Sequence, residues 1–119
     1  MGDIEKLIFK DVVVVVINLC RGTLIEAKQL GALLDEEIAS GCKKLIVDLS
    51  ECEFVDSTFI GTLVLRYKKL KESGGNLRLV LPAVQRDVIF AVTNTLGLFD
   101  TFRTRKDAVD SFVFAGKNN

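Results

Sequence analysis

Residues 44–63 read KLIVDLSECEFVDSTFIGTL, and the way this stretch divides decides the fold. Lys44 to Leu49 is a short apolar run with the length of a buried strand. Ile60, Leu63, Val64, Tyr67 and Leu70 recur at helical spacing, and the pattern stops at Ser73-Gly74-Gly75. Between the two lies the loop SECEFVD, after which Ser57, Thr58 and Phe59 occupy the first helical turn. The first N–H groups of a helix lack partners inside it, and carboxylate or hydroxyl oxygens at its start accept from them. Asp56 and Ser57 therefore have an ordinary duty as caps, which any further role must be weighed against.

Working upstream, Val12 to Ile17 is an uninterrupted β-branched run, suited to a central strand covered on both faces. Ile4 to Phe9 is a second strand, joined to it through a turn at Lys10-Asp11, so the chain opens with an antiparallel hairpin. Thr23 and Glu26 have the spacing of a capping box. Leu24, Ala27, Leu30, Leu34 and Ile38 then mark a helix that ends at Gly41.

Downstream, Leu77 to Leu81 is a strand before Pro82, the only proline. Val84, Val88, Ile89 and Val92 suit a helix from Ala83 to about Thr93, with Asn94 to Gly97 as its exit. Leu98 to Phe102 is expected as an edge strand. Thr104 and Asp107 repeat the hydroxyl-x-x-acid start signal before a last helix with Ala108, Val109, Phe112 and Val113 on its apolar side. Strands alternating with helices after an initial hairpin predict one α/β domain over residues 1–119. Its sheet is mixed, largely parallel beyond the hairpin, and flanked by about four helices.

The composition fits: 49% of residues are apolar and 27% charged, enough for one core that buries roughly two thirds of the unfolded surface. Sixteen basic and sixteen acidic residues balance to zero, without the positive field that non-specific nucleic-acid binding needs. No nucleic-acid partner is expected. Cys20, Cys42 and Cys52 lack C-x-x-C spacing and there is no histidine; zinc is not expected, buried structural thiols are, and a reducing cytoplasmic setting is the simplest home. The N-terminal residues lack a signal-peptide core and no apolar run is long enough to cross a bilayer, so no membrane partner is expected either.

Without histidine, neither a Ser-His-Asp hydrolase nor a Cys-His nucleophile can be built. Ser40-Gly41-Cys42-Lys43 matches S-x-x-K only by spacing and reads as a turn. Ser73-Gly74-Gly75-Asn76 lacks the phosphate-loop pattern. Arg66, Lys68, Lys69 and Lys71 read as a solvated face at the negative end of their helix. Leu65 lies opposite the apolar stripe of that helix, where it is either a lone exposed leucine or a contact with a partner or a second copy in a homodimer. Phe59 either packs beside Leu63 or projects toward a docking surface. An enzyme is not expected.

Ser57 carries the sharper possibility. A hydroxyl at an accessible loop edge, beside free helix N–H groups, is a candidate for phosphorylation, which adds about −1.5 to −2 charge. The helix dipole accommodates that charge inside the folded chain, whereas a partner docking an apolar or acidic surface there does not, so unmodified protein binds and modified protein releases.

The core Asp48-Leu49-Ser50, Phe54, Asp56-Ser57-Thr58, Gly61 and Leu63, the late Leu96-Gly97-Leu98-Phe99 and the element order resemble the STAS domain family, specifically the bacterial anti-sigma factor antagonists, over nearly the whole chain. The resemblance implies a protein that binds an anti-sigma factor, itself a serine kinase, and frees a sigma factor. It implies phosphorylation of Ser57, with Thr58 the less favoured acceptor, and reversal by a metal-dependent serine phosphatase. Asp56 shapes the loop; Asp56, Ser57, Thr58, Phe59, Thr23 and Leu65 are the expected partner contacts. ATP belongs to the kinase, so no cofactor is expected here. The alternative is a non-phosphorylated STAS scaffold or sensor subunit, in which Asp56 and Ser57 only cap the helix.

Overall fold

A computed structural model describes residues 4–18, 21–22, 24–52, 54–55, 57–81 and 99–114. Strands β1 (Ile4–Phe9) and β2 (Val12–Ile17) form the expected antiparallel hairpin. Lys10 takes the turn with a left-handed φ of 58°. After β3 (Arg21–Gly22), helix α1 (Leu24–Ala39) leads to β4 (Lys44–Asp48). A second short strand, β5 (Phe54–Val55), precedes helix α2 (Ser57–Glu72); β6 (Asn76–Val80), β7 (Thr101–Phe102) and α3 (Arg105–Val113) follow. Among the described residues there are three helices rather than about four. The helix expected over residues 83–93 lies outside the described residues.

The main sheet has the order β1-β2-β4-β6-β7, antiparallel only at β1–β2 and parallel at every other pairing. β2 is an interior strand, as its unbroken apolar run requires, but the middle of the sheet is β4. The pleat sorts β2 between two faces. Val13, Val15 and Ile17 join Leu45 and Val47 in a larger core beneath α1 and α2, while Val12, Val14 and Val16 join Ile46 and Val80 in a smaller one beneath α3. Ala27, Leu30 and Leu34 of α1 and Ile60, Leu63 and Leu70 of α2 bury as their helical spacing predicts, with Ile38, Val64 and Tyr67 partly covered.

Helix ends follow local chemistry. α1 stops at Gly41, whose φ of 98° needs no Cβ; the Ser40 hydroxyl there donates to the Glu37 carbonyl at 2.9 Å. Ser40 to Lys43 is thus a helix exit, as expected. At the other terminus of the chain the Thr104 hydroxyl accepts from the Asp107 N–H at 3.1 Å, capping α3 as its start signal predicts.

One element has no counterpart in the sequence reading. β3 and β5 pair in parallel as a separate two-stranded sheet, Arg21 opposite Phe54 and Gly22 opposite Val55. Both segments read as loops because two residues carry no periodicity.

Candidate partner-binding and modification site

The path to Ser57 starts at Asp48, the last residue of the middle strand and the only buried charged residue among those described, 2% exposed. Burying a carboxylate is costly unless its oxygens are occupied. One oxygen accepts from the Ser50 N–H at 2.9 Å, bending the chain out of the strand, and the other from Arg105 Nε at 2.9 Å. The Cys52 N–H donates to the Leu49 carbonyl at 3.0 Å, which continues the turn. β5 then lies beside β3, placing the approaches to α1 and α2 side by side.

α2 begins at Ser57, whose side chain is exposed, as is that of Thr58. The serine therefore stands where the partial positive charge of the helix is concentrated. Thr58 contributes its carbonyl to the Thr62 hydroxyl at 3.2 Å. Asp56 and Thr23, expected alongside them, lie outside the described residues.

Phe59 is not a surface residue. It is fully buried in the larger core with Leu63 and Ile60, which corrects its placement among the partner contacts. At 100° per residue it lies about 200° around the helix from Ser57. Seating its ring under α2 fixes the helix rotation and turns Ser57 outward; burying a phenylalanine side chain contributes about 1.5–3 kcal/mol to holding it there.

Leu65 is 59% exposed, on the solvent side of α2 as its spacing implied. The basic residues around it divide. Arg66 reaches across to α1 and donates to both oxygens of Asp35, at 3.2 and 2.9 Å, and Lys69 donates to the same carboxylate at 3.2 Å. These bonds, Arg66 first, hold the Asp35 carboxyl below its ordinary range. The guanidinium lies over Gly31, where a Cβ would come within 2.8 Å of it. Lys71 sits 5.9 Å above the Tyr67 ring, and Lys68 is exposed. Arg66 and Lys69 are thus interhelix contacts rather than a solvated face. Their partner is 31 and 34 residues away in sequence, beyond the reach of any local pattern.

Between α1 and α2 the surface forms a groove of about 340 Å³, lined by Lys28, Ala32, Thr58 and Thr62 and closed by Asp35 and Arg66. The two described cysteines offer no nucleophile near it. Cys52 is buried in the larger core, and burial pushes the half-buried Cys42 thiol up, away from its reactive thiolate. Cys20 lies outside the described residues. No helix among the described residues is long and apolar enough to cross a membrane.

A hairpin feeding a parallel sheet, two helices on one face and a hydroxyl-bearing helix start at the strand ends define a small α/β module that presents Ser57 and Thr58 at its surface. The STAS domain profile matches residues 23–108, and the chain belongs to that family. A candidate anti-sigma factor antagonist of Thermotoga maritima is 28% identical over 78 residues, 66% of this chain and 69% of that protein. An anti-sigma factor antagonist from Mycobacterium paratuberculosis superposes with a TM-score of 0.79 at 22% identity, covering 91% of each chain. The anti-sigma factor antagonist SpoIIAA superposes in its unphosphorylated form with a TM-score of 0.76 at 18% identity, over 92% of this chain and 96% of that one. Its phosphorylated form, described as a Bacillus cell fate determinant, gives 0.72 at 18% identity over 92% and 98%.

Proposed function

We propose that this protein is an anti-sigma factor antagonist that binds a cognate anti-sigma serine kinase through the start of α2, so releasing a sigma factor, and is switched off by phosphorylation of Ser57. The observation that carries the reading is the pairing of an outward Ser57 with an inward Phe59. A side chain that must enter another protein's active site has to be exposed without loosening the helix that bears it, and the buried ring meets that need. That SpoIIAA has been solved in both unphosphorylated and phosphorylated forms supports the assignment of a modification to this fold.

The mechanism follows from charge. A phosphate at Ser57 brings about −1.5 to −2 units to the first turn of α2, where the helix dipole offsets part of it and the fold survives. A partner whose apolar or acidic surface covers the same turn must bury or face that charge and dissociates. A metal-dependent serine phosphatase restores the binding form. Asp56 and Thr23 complete the contact surface with Ser57 and Thr58, and the complex operates in the cytoplasm.

The test is intact mass after incubation with ATP and each anti-sigma kinase of the source organism, beside Ser57→Ala and Thr58→Ala. The expected result is a gain of one phosphoryl group that Ser57→Ala abolishes and Thr58→Ala leaves. A pull-down should retain the kinase with unmodified protein and lose it with the modified form. Retention of a partner without any phosphate gain would replace the switch with a non-phosphorylated scaffold.

A further inference from the structure

We propose that the chain pairs with a second copy of itself through the face of the sheet away from α1 and α2, the β1–β2 hairpin of one copy seated against α3 of the other. The proposal stands apart from the Ser57 reading, because it concerns the opposite face and the opposite end of the molecule.

The hairpin and α3 leave a groove between them. Phe9 lies opposite Val12 and Leu7 opposite Val14, so both point to the α3 side, where those valines are buried. α3 packs over β2, β4, β6 and β7, and the edge strand β1 extends beyond it. The groove measures about 520 Å³ beside Ile8, Phe9, Val109, Val113 and Phe114, and a second hollow of about 260 Å³ adjoins it at Phe9 and Val109. Among the described residues the exposed large apolar side chains are Ile8, Phe9, Leu65 and Phe114, and all but Leu65 line this groove. One exposed leucine is ordinary, whereas three large side chains converging on half-buried valines form a contiguous patch of the kind that another molecule covers. The neighbouring strand edge is also weakly guarded. β1 is six residues long without proline, and its exposed Lys6 is drawn to Glu37 of α1.

Charge selects a second copy as the occupant. At the hairpin turn Lys44 is held by Asp11, and on α3 Arg105 is held by Asp48 and Lys106 by Asp110. That leaves Lys10 in the turn and Glu5 on β1, whose carboxylate accepts from the Asn18 amide, with exposed Arg103 and Asp107 at the start of α3. Each of these two sets has one charge of either sign, so the surface has no net sign with which to choose an acidic or a basic protein. It matches itself, as a two-fold contact requires. The whole chain is also neutral, with 16 basic and 16 acidic residues, and copies without net charge do not repel one another. Lys10 has no ion pair among the described residues. Asp110 is held by Lys106, whose side chain is 83% exposed, a pair that solvent screens. Lys10 of one copy therefore meets Asp110 of the other at the rim of the groove that Phe9 enters. The hairpin turn lies at the end of the sheet where β2 and β4 begin, whereas Ser57 follows the end where β4 leaves. The dimer thus keeps both Ser57 turns open.

Sedimentation equilibrium of the purified chain from micromolar to millimolar concentration tests this. The wild-type average mass should rise from one chain toward two. Phe9→Ser should weaken the association by about tenfold or more, and Leu65→Ala should leave it unchanged. Lys10→Glu and Asp110→Lys, both at the solvent-facing rim where folding is spared, should each weaken it by about tenfold, and the two together should restore it. Lys68→Glu, the same charge change as Lys10→Glu but placed on α2, should have no effect, which separates the contact from the change in net charge. A wild-type chain that stays monomeric throughout overturns the proposal and leaves the groove to a different protein. Association that survives Phe9→Ser but is lost with Leu65→Ala also overturns it, by moving the contact to α2. Single charge variants that associate as the wild type does, or a double variant no better than either single one, overturn it as well.

Discussion

The two faces of the main sheet are built differently. Beneath α1 and α2 lies a wide aliphatic core that includes Leu30, Leu34, Leu63, Leu70 and Phe59, all without solvent exposure. Beneath α3 the buried cluster is smaller, with Ala108 and Phe112 as the helix's buried contributions, and polar contacts do much of the joining. The Arg78 guanidinium lies 4.0 Å above the Phe112 ring and donates through Nη1 to the Ser111 hydroxyl at 2.7 Å, while Arg105 reaches Asp48. The side that presents Ser57 thus has its rigidity mainly from non-directional packing, to which Arg66 and Lys69 of α2 add their bonds to Asp35 of α1, while Ser57 and Thr58 face outward. The other side spends its polar groups on holding a short helix in place.

The sharpest way to break this contrast is to truncate one aromatic on each face. Phe59→Ala should cost about 3–5 kcal/mol, the range for a fully buried phenylalanine. Phe112→Ala should cost about 2–3 kcal/mol, because its ring packs partly against the adjustable Arg78 side chain. Urea unfolding of both variants checks the ranking, and equal losses would make the faces equivalent.

Next in size is the ion pair that ties α3 to the end of β4. Arg105→Ala should cost about 1–3 kcal/mol by leaving a buried carboxylate with the Ser50 N–H as its remaining bond among those described. Arg105→Lys should recover part of the loss, since the charge returns without the planar donor. A smaller effect, about 1 kcal/mol, is expected for Thr104→Ala, which removes the cap of α3; thermal unfolding should record it as a lowered Tm.

The smallest concerns the Arg66–Asp35–Lys69 cluster. Because the folded carboxyl of Asp35 is held below its ordinary value, its contribution is fully present above the unfolded pKa and disappears as pH falls through the folded one. Wild type should therefore lose an acid-side increment below about pH 4 that Asp35→Asn lacks. The carboxylate is 39% exposed, so solvent screening keeps the difference well under about 1 kcal/mol. Urea midpoints between pH 6 and pH 2.5 measure it.

Much of the scaffold was legible because it obeys local rules. The β-branched run of β2, the helical stripe from Ile60 to Leu70 and the Thr104 cap each announce themselves within a few residues of chain. Phe59 was open to two readings because a single residue in a first turn has no period of its own; only the neighbouring core decides whether its ring goes in or out. Leu65 was placed correctly by that same period. Neither the Asp35 clamp nor the Asp48–Arg105 pair could be anticipated, since each joins residues whose proximity depends on the finished topology. The β3–β5 pairing was missed for the same reason, at the shortest scale.

That pairing joins segments about thirty residues apart through two residues on each side. Closing a loop of that length for two residues of pairing is disfavoured by entropy until α1 and β4 have brought its ends together, so it is expected late in folding. Local opening runs the other way, with the weakest cooperative unit parting first. The amides of Phe54 and Val55 should therefore exchange with solvent well before those of β2. The segment that leads into Ser57 is then, among the described strands, the one that can be reshaped at the lowest cost to the whole.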